Sequence, residues 1–267
     1  MIEARARTCQ IHPSAVVEVG AKLGQGVVVG PFCYVGRDVE LGDGTTLVAH
    51  ATVLGPSRIG KNNRVFPYAT LGAAPQDRSF SDEPTELWVE DHNVFREQVT
   101  VHRGSTKGDG ITRIGSGCWF MVGAHVAHDC VIQDGVMLTN LTSLGGHVHA
   151  APGAVCGGHV AVAPFVRLGR NCFVAGGARV ERDVPPYVIV SGDRARVRAL
   201  NRVGLERSAI AAESQAALAR AFALIWRSGE PVAKGLSLAR EELGSDPCVR
   251  ELVEFLETSR PLARARR

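Results

Sequence analysis

Residues 11–41 read IHPSAVVEVGAKLGQGVVVGPFCYVGRDVEL. Every sixth position from Ile11 is aliphatic: Ile11, Val17, Leu23, Val29, Val35 and Leu41. The series runs on unbroken through Leu47, Val53, Ile59, Val65 and Leu71. One aliphatic per hexad, with glycine and small residues between, marks a parallel β-helix in which each hexad supplies one short strand and a turn. Three hexads complete a triangular coil, so residues 18 apart stack at the inter-strand spacing of ~4.8 Å. Each coil then depends on its neighbours to bury its inward side chains.

Outward from this stretch the phase resumes at Val89, Phe95 and Val101, slips by one residue through KGDGITR, and runs from Ile114 to Val180. Only Phe95, Phe120, Ala150 and Cys156 depart from Val, Ile or Leu at the inward positions. Residues 72–88, GAAPQDRSFSDEPTELW, keep the length of the repeat but lose its content and are expected to form an external loop. A long loop on a regular solenoid usually carries function. After DVPPY the repeat stops. ESQAALARAFALIWRSG places Leu218, Ala221, Phe222 and Ile225 at helical spacing, with Gly229 as the stop signal, and CVRELVEFLETSR reads as another helix. The expected division is a β-helix over 1–190 and a helical region over 191–267.

Low aromatic content and 30 glycines agree with a repetitive β architecture. A formal charge of +3 argues against nucleic acid as a partner, and the basic end RPLARARR reads as a solvated terminus. Seven scattered cysteines with no C-x-x-C pair imply reduced thiols and a cytoplasmic protein. MIEARARTCQ has no apolar core of a signal segment, and no run reaches membrane-span length. GPSRIGKN at 55–62 approximates a phosphate loop but lacks its final Ser or Thr and stays in hexad phase, so it is scaffold.

The chemistry-bearing stretch is VGAHVAHDC, residues 122–130. Stacking by 18 puts Gly146 and His147 one coil from His128 and Asp129, and Ser143 beside His125. An imidazole near its ordinary pKa suits proton abstraction at neutral pH, and the Gly146 amide is placed to face a developing oxyanion. Some β-helix proteins resembling carbonic anhydrases hold zinc with three histidines between subunits. His125, His128 and His147, with His159 spare, offer such a set for a trimeric zinc lyase. The 72–88 loop and the helical region have no role in that chemistry, and no metal or other cofactor is expected.

The succession HPSAVVEVGAKLG, PQDRSFSDEPTELWVEDHNVFREQVTVHRGST, GAHVAHDC, LGGHV, DVPPYVIVSGD and LNRVGLERSAI closely resembles the acyl-carrier-protein–UDP-N-acetylglucosamine O-acyltransferases of lipid A biosynthesis. REQVTVHRGST and AHDC are the specific parts. The resemblance implies a homotrimer of left-handed β-helices with active sites between subunits. There a (3R)-3-hydroxyacyl group passes from acyl carrier protein to the 3-hydroxyl of UDP-N-acetylglucosamine. It assigns His128 as general base, Asp129 as its support and Gly146 as oxyanion donor. His125 and His147 become flanking substrate contacts, Gln76 and Asp77 sugar-nucleotide contacts, and Asn201 and Arg207 contacts to the uridine diphosphate end. Gly176 becomes the residue that leaves the acyl chain unblocked.

The chain also departs from that pattern. Arg78 and Ser79 stand where the family has a lysine after PQD, Ala163 and Pro164 where it has His-Gln, Val203 where it has an acid, and Ser208 where it has a second arginine. N-acylation of a UDP-3-amino sugar uses the same base and thioester chemistry and stays open at this level. A non-catalytic scaffold leaves the intact 125, 128 and 147 cluster unexplained.

Overall fold

The structure is a computed structural model that describes residues 8–259. The hexads wind a left-handed parallel β-helix whose prism has three sheets, of 11, 9 and 8 strands. Successive strands enter the first, second and third sheet in turn, so each pairs in parallel with the strand one coil away. Thr46 and Leu47 pair with Arg64 and Val65, the 18-residue offset that the spacing predicts.

The inward ladder is buried from the second coil onward: Val29, Val35, Leu41, Leu47 and Val53 are at most 2% exposed. Ile11 at the open end is 49% exposed. Two of the off-pattern positions explain each other. Phe95 and Phe120 occupy adjacent coils, fully buried, with parallel rings 4.9 Å apart. A ring at one level is filled against by a ring at the next, as close packing requires.

Two interruptions are extrusions from an otherwise constant coil. Val65 pairs with Phe95, an offset of 30 in place of 18, so twelve residues leave the prism. They are residues 74–85. Thr70–Ala73 and Glu86–Val89 remain strand, so the external loop is shorter than 72–88. Phe95 pairs with Phe120, an offset of 25, so seven residues leave it. They are residues 104–110, and the apparent one-residue slip is a second extrusion. Both leave between a strand of the second sheet and a strand of the third, on one edge of the prism.

Sheet structure also outlasts residue 190. Val188–Ser191 joins the first sheet in parallel, and Arg196–Leu200 closes it antiparallel before the helices begin. The Pro pair of DVPPY reads as a terminator in sequence. In the fold Tyr187 takes the left-handed corner conformation, φ 65°, and turns the chain back into the sheet.

Four helices follow: α1 (Arg202–Arg207), α2 (Ala212–Trp226), α3 (Val232–Leu243) and α4 (Pro247–Thr258). Leu218, Ala221, Phe222 and Ile225 of α2 are buried as their spacing predicts. Gly229 is left-handed, φ 86°, two residues beyond the C-cap Arg227. Asp246 caps α4, accepting from the amides of Cys248 and Val249. α4 packs on the end of the prism, where Arg170 pairs with Glu251 at 3.2 Å and Arg167 lies over the Phe255 ring. The terminus 260–267, read as a solvated end, lies outside the described residues. No helix among the described residues is long and apolar enough to cross a membrane.

Phe120→Ala removes one member of the stacked pair, and its expected cost is about 3–5 kcal/mol, read as a lower denaturation midpoint. A loss under about 1 kcal/mol would mean that the neighbouring coils close over the gap.

Candidate active site

His128 and Asp129 sit at the corner between the strand His125–Val126 of the second sheet and Val131–Ile132 of the third. The chain rounds this corner with Asp129, His147 and Phe165 of successive coils in the left-handed region, at φ 60°, 60° and 64°. This is the edge from which both extrusions leave. The chemistry and the irregular segments therefore occupy one line along the prism.

Nδ1 of His128 lies 2.7 Å from Oδ2 of Asp129. Facing a carboxylate, Nδ1 carries the proton and Nε2 is left as an acceptor. The Asp129 side chain is 3% exposed, and its carboxylate takes three closer donors. The Ser105 amide donates to Oδ1 at 2.9 Å, and the Ser105 hydroxyl and His128 donate to Oδ2 at 2.6 and 2.7 Å. Burial alone would raise this carboxyl. The Ser105 hydroxyl and amide, then His128 and the charge of His147, outweigh it and hold it below the usual range.

Gly146 lies against the imidazole. A Cβ there would stand 2.7 Å from Cε1 and 2.9 Å from Nε2 of His128, so only glycine lets the ring lie flat over the backbone. The Gly146 amide has no hydrogen-bond partner among the described residues, and its residue lies against the His128 ring. His147 meets His128 edge-on at 5.3 Å and stacks on Phe165 at 4.4 Å. His125 points from the second sheet, its Nδ1 2.8 Å from the Thr100 hydroxyl. Burial, aided by His102, holds His125 down at about 4, so it is neutral at pH 7. Cys130 of AHDC is core: burial pushes its thiol up to about 12, which removes it as a nucleophile.

The external loop folds toward this edge. Asp77 accepts from Lys107 at 2.6 Å and from the Ser79 amide and hydroxyl at 2.9 Å each, and Lys107 first and Ser79 next hold its carboxyl well below the carboxylate range. Gln76 is exposed beside it. Lys107 thus brings to Asp77, from the second extrusion, a positive charge in addition to Arg78 of PQDR. Arg103 ties the loop down from below, donating to the Gly55 carbonyl at 2.7 Å and lying under the Phe80 ring. His102, buried and held low chiefly by desolvation, bonds the Ala74 carbonyl at 2.6 Å. His102, Ser105 and Lys107 were not singled out from sequence. Their only signal is that they flank or fill the stretch where the repeat loses phase.

Three expected residues lie elsewhere in the chain. Gly176 sits on the edge between the first and second sheets, where a Cβ would approach the Gly158 carbonyl oxygen to 3.2 Å. Asn201 is buried and engaged: it caps α1 by accepting from the Gly204 amide and donates to the Asn171 carbonyl at 2.9 Å. Arg207 is exposed in the last turn of α1, with no ion pair among the described residues. One chain does not bring these three to His128. A possible ligating group does form from His128, Asp129 and His147, within 4.8 Å of one another. It leaves out His125, and the Asp129 oxygens in it already accept from Ser105 and His128. The donor set fits a buttressed base better than a three-histidine zinc site.

A coiled scaffold of hexads with an imidazole–carboxylate pair on one edge defines a hexapeptide-repeat transferase. The family described as bacterial transferase hexapeptide (six repeats) matches residues 20–55, and that described as Udp N-acetylglucosamine O-acyltransferase, Domain 2, matches residues 183–264. The UDP-N-acetylglucosamine O-acyltransferase from Moraxella catarrhalis is 33% identical, with 96% of this chain and 99% of that one covered and a TM-score of 0.89. The Bacteroides fragilis acyltransferase is 33% identical over 96% and 100%, at 0.91. The Arabidopsis one is 30% identical over 95% and 100%, at 0.82. The chain belongs to the UDP-N-acetylglucosamine O-acyltransferase family, and it is an acyltransferase.

Gly146→Ala is expected to drive the His128 ring off its seat and lower acyl transfer by at least about 100-fold, with the melting temperature little changed. Steady-state rates near those of the unmutated chain would show that the ring need not lie on residue 146.

Proposed function

We propose that this chain transfers a (3R)-3-hydroxyacyl group from acyl carrier protein to the 3-hydroxyl of UDP-N-acetylglucosamine, the first step of lipid A biosynthesis, in the cytoplasm. The 2.7 Å bond from His128 to Asp129, beside an unpaired Gly146 amide, is the observation that carries the reading. Nε2 of His128 takes the proton of the sugar hydroxyl as its oxygen attacks the thioester carbonyl. The charge on the carbonyl oxygen meets the Gly146 amide. The C–O bond forms, the C–S bond breaks, and the proton on Nε2 passes to the leaving thiolate. Asp129 keeps the tautomer correct and balances the imidazolium. No bound cofactor enters these steps, since the activated acyl group arrives on a substrate.

In this reading the active unit is a homotrimer. Gly176 and Arg207 belong to the site but lie across the second sheet and at the end of the first, so a second copy must present them to His128. The outward row of the first sheet carries Gln10, Thr46 and Arg64 at one end but is apolar from Val94 through Trp119, Met137 and Val155 to Phe173, and Trp119 is 43% exposed in the single chain. Such a surface suits burial between copies. Arg207 is then available to the pyrophosphate, for which a guanidinium is matched in shape and charge, and Asn201 orients the helix that carries it.

Transfer of a labelled 3-hydroxyacyl group from carrier protein to UDP-N-acetylglucosamine is expected for the native chain and lost in His128→Ala. No transfer by the native chain across several acyl lengths, with transfer to a 3-amino sugar nucleotide instead, would replace O- by N-acylation. Co-expressed His128→Ala and Arg207→Ala chains are expected to regain part of the activity that each lacks alone. Absence of any regain would put both residues in a site made by one chain.

A further inference from the structure

We infer that Ser105 is the positioning residue of the His128–Asp129 pair, and that the Gly104–Gly110 extrusion delivers it to the carboxylate. The inference deepens the function proposed above and rests on it. Asp129 is nearly sealed, so no solvent replaces a lost donor, and a buried carboxylate left short of hydrogen bonds is costly. Ser105 holds both oxygens, its amide on Oδ1 and its hydroxyl on Oδ2, and the His128 ring shares Oδ2 with that hydroxyl. Ser105 is itself 3% exposed, and its Oγ accepts from the Lys107 amide at 3.3 Å, which turns its proton toward Oδ2 of Asp129. The extrusion is shaped for this contact. A Cβ on Gly104 would strike the Gly110 backbone at 2.2 Å, so the neck closes only with glycine, and one on Gly108 would stand 2.6 Å from Oδ1 of Asp129.

The consequence for catalysis follows from the shared acceptor. With the hydroxyl in place, Oδ2 lies on the Nδ1–H line of His128 and Nε2 is held beside Gly146. Without it Oδ2 is held by His128 alone, and the carboxyl, pinned only by the Ser105 amide on Oδ1, fixes the ring less firmly. Titratable groups facing Asp129 are His128 beside it, His147 of the next coil and the buried Cys130 thiol. Since the Ser105 bonds are the largest of the effects that lower the carboxyl, their loss lets burial raise it. The ionised form then persists over a narrower range and disappears at a higher pH as acid is added.

The Ser105 amide also donates to Oδ1, so Ser105→Ala removes the hydroxyl while leaving a backbone bond to hold the loop. In steady-state transfer by the full-length chain, Ser105→Ala is expected to lower kcat by about 10- to 100-fold, with KM for the sugar nucleotide within about twofold and the acid limb of kcat/KM moved to higher pH. Ser105→Thr, which keeps the hydroxyl, is expected to recover most of kcat. Ser105→Cys, near in shape but a weak donor, should behave as the alanine variant does and serves if that variant melts early. An alanine variant with native kcat and an unmoved acid limb overturns the inference alone, as does a loss confined to KM. Failure of the native chain to transfer any acyl group overturns the reading and the inference with it.

Discussion

The whole molecule depends on one constraint, that the backbone of each coil hydrogen-bonds to the coil on either side. A coil cannot shift along its neighbour without turning the inward aliphatics out, because side chains alternate across a strand. The register is therefore stiff, and it converts sequence offset into contact: Gly146 reaches His128, His147 reaches Asp129 and Phe165 reaches His147 by the 18-residue rule alone. Segments that break the offset are extruded whole, since twelve or seven extra residues cannot be absorbed within a coil. Both leave by the same edge, and that edge is where the chemistry lies.

This stiffness is also why so much was legible beforehand. One inward residue per hexad is forced by packing, so the prism, its stacking and the approach of Gly146 to His128 follow from spacing. Legibility stops where periodicity does. A seven-residue excess and a one-residue slip look alike in a period of six, so the extrusion 104–110 was hidden, and with it Ser105 and Lys107. Their partners lie 24 and 30 positions away, with no repeat to announce them. Residue 190 misplaced the end of the sheet because a Pro pair usually stops a strand, whereas Tyr187 here completes a corner and admits two more strands. Gly176 and Arg207 show a different limit: the resemblance groups them with His128, and a single chain does not bring them together.

The departures from the family pattern resolve differently once contacts are known. Ser79, standing where a lysine is usual, closes a turn onto Asp77, while Lys107 supplies the cation from the other extrusion. Arg78 keeps a cation just after PQD, and the ion pair with Asp77 is made from the other extrusion. A pair of this kind is available because the two extrusions share an edge, so either can reach Asp77.

Ala163 and Pro164 are a change of another sort. Pro164 packs against Gly145, where a Cβ would meet its ring at 2.8 Å, so the contact is close and apolar. Proline has no amide hydrogen, so position 164, one coil on from the unpaired Gly146 amide, offers no donor. The next group along the edge is Phe165, 70% exposed and stacked on His147. From His128 to Phe165 the edge thus passes from an imidazole to an unpaired amide to hydrocarbon within two coils. Ala163 and Pro164 in place of His-Gln thus remove two polar side chains from the coil beside Gly145 and leave the contacts among His128, Asp129 and Ser105 intact.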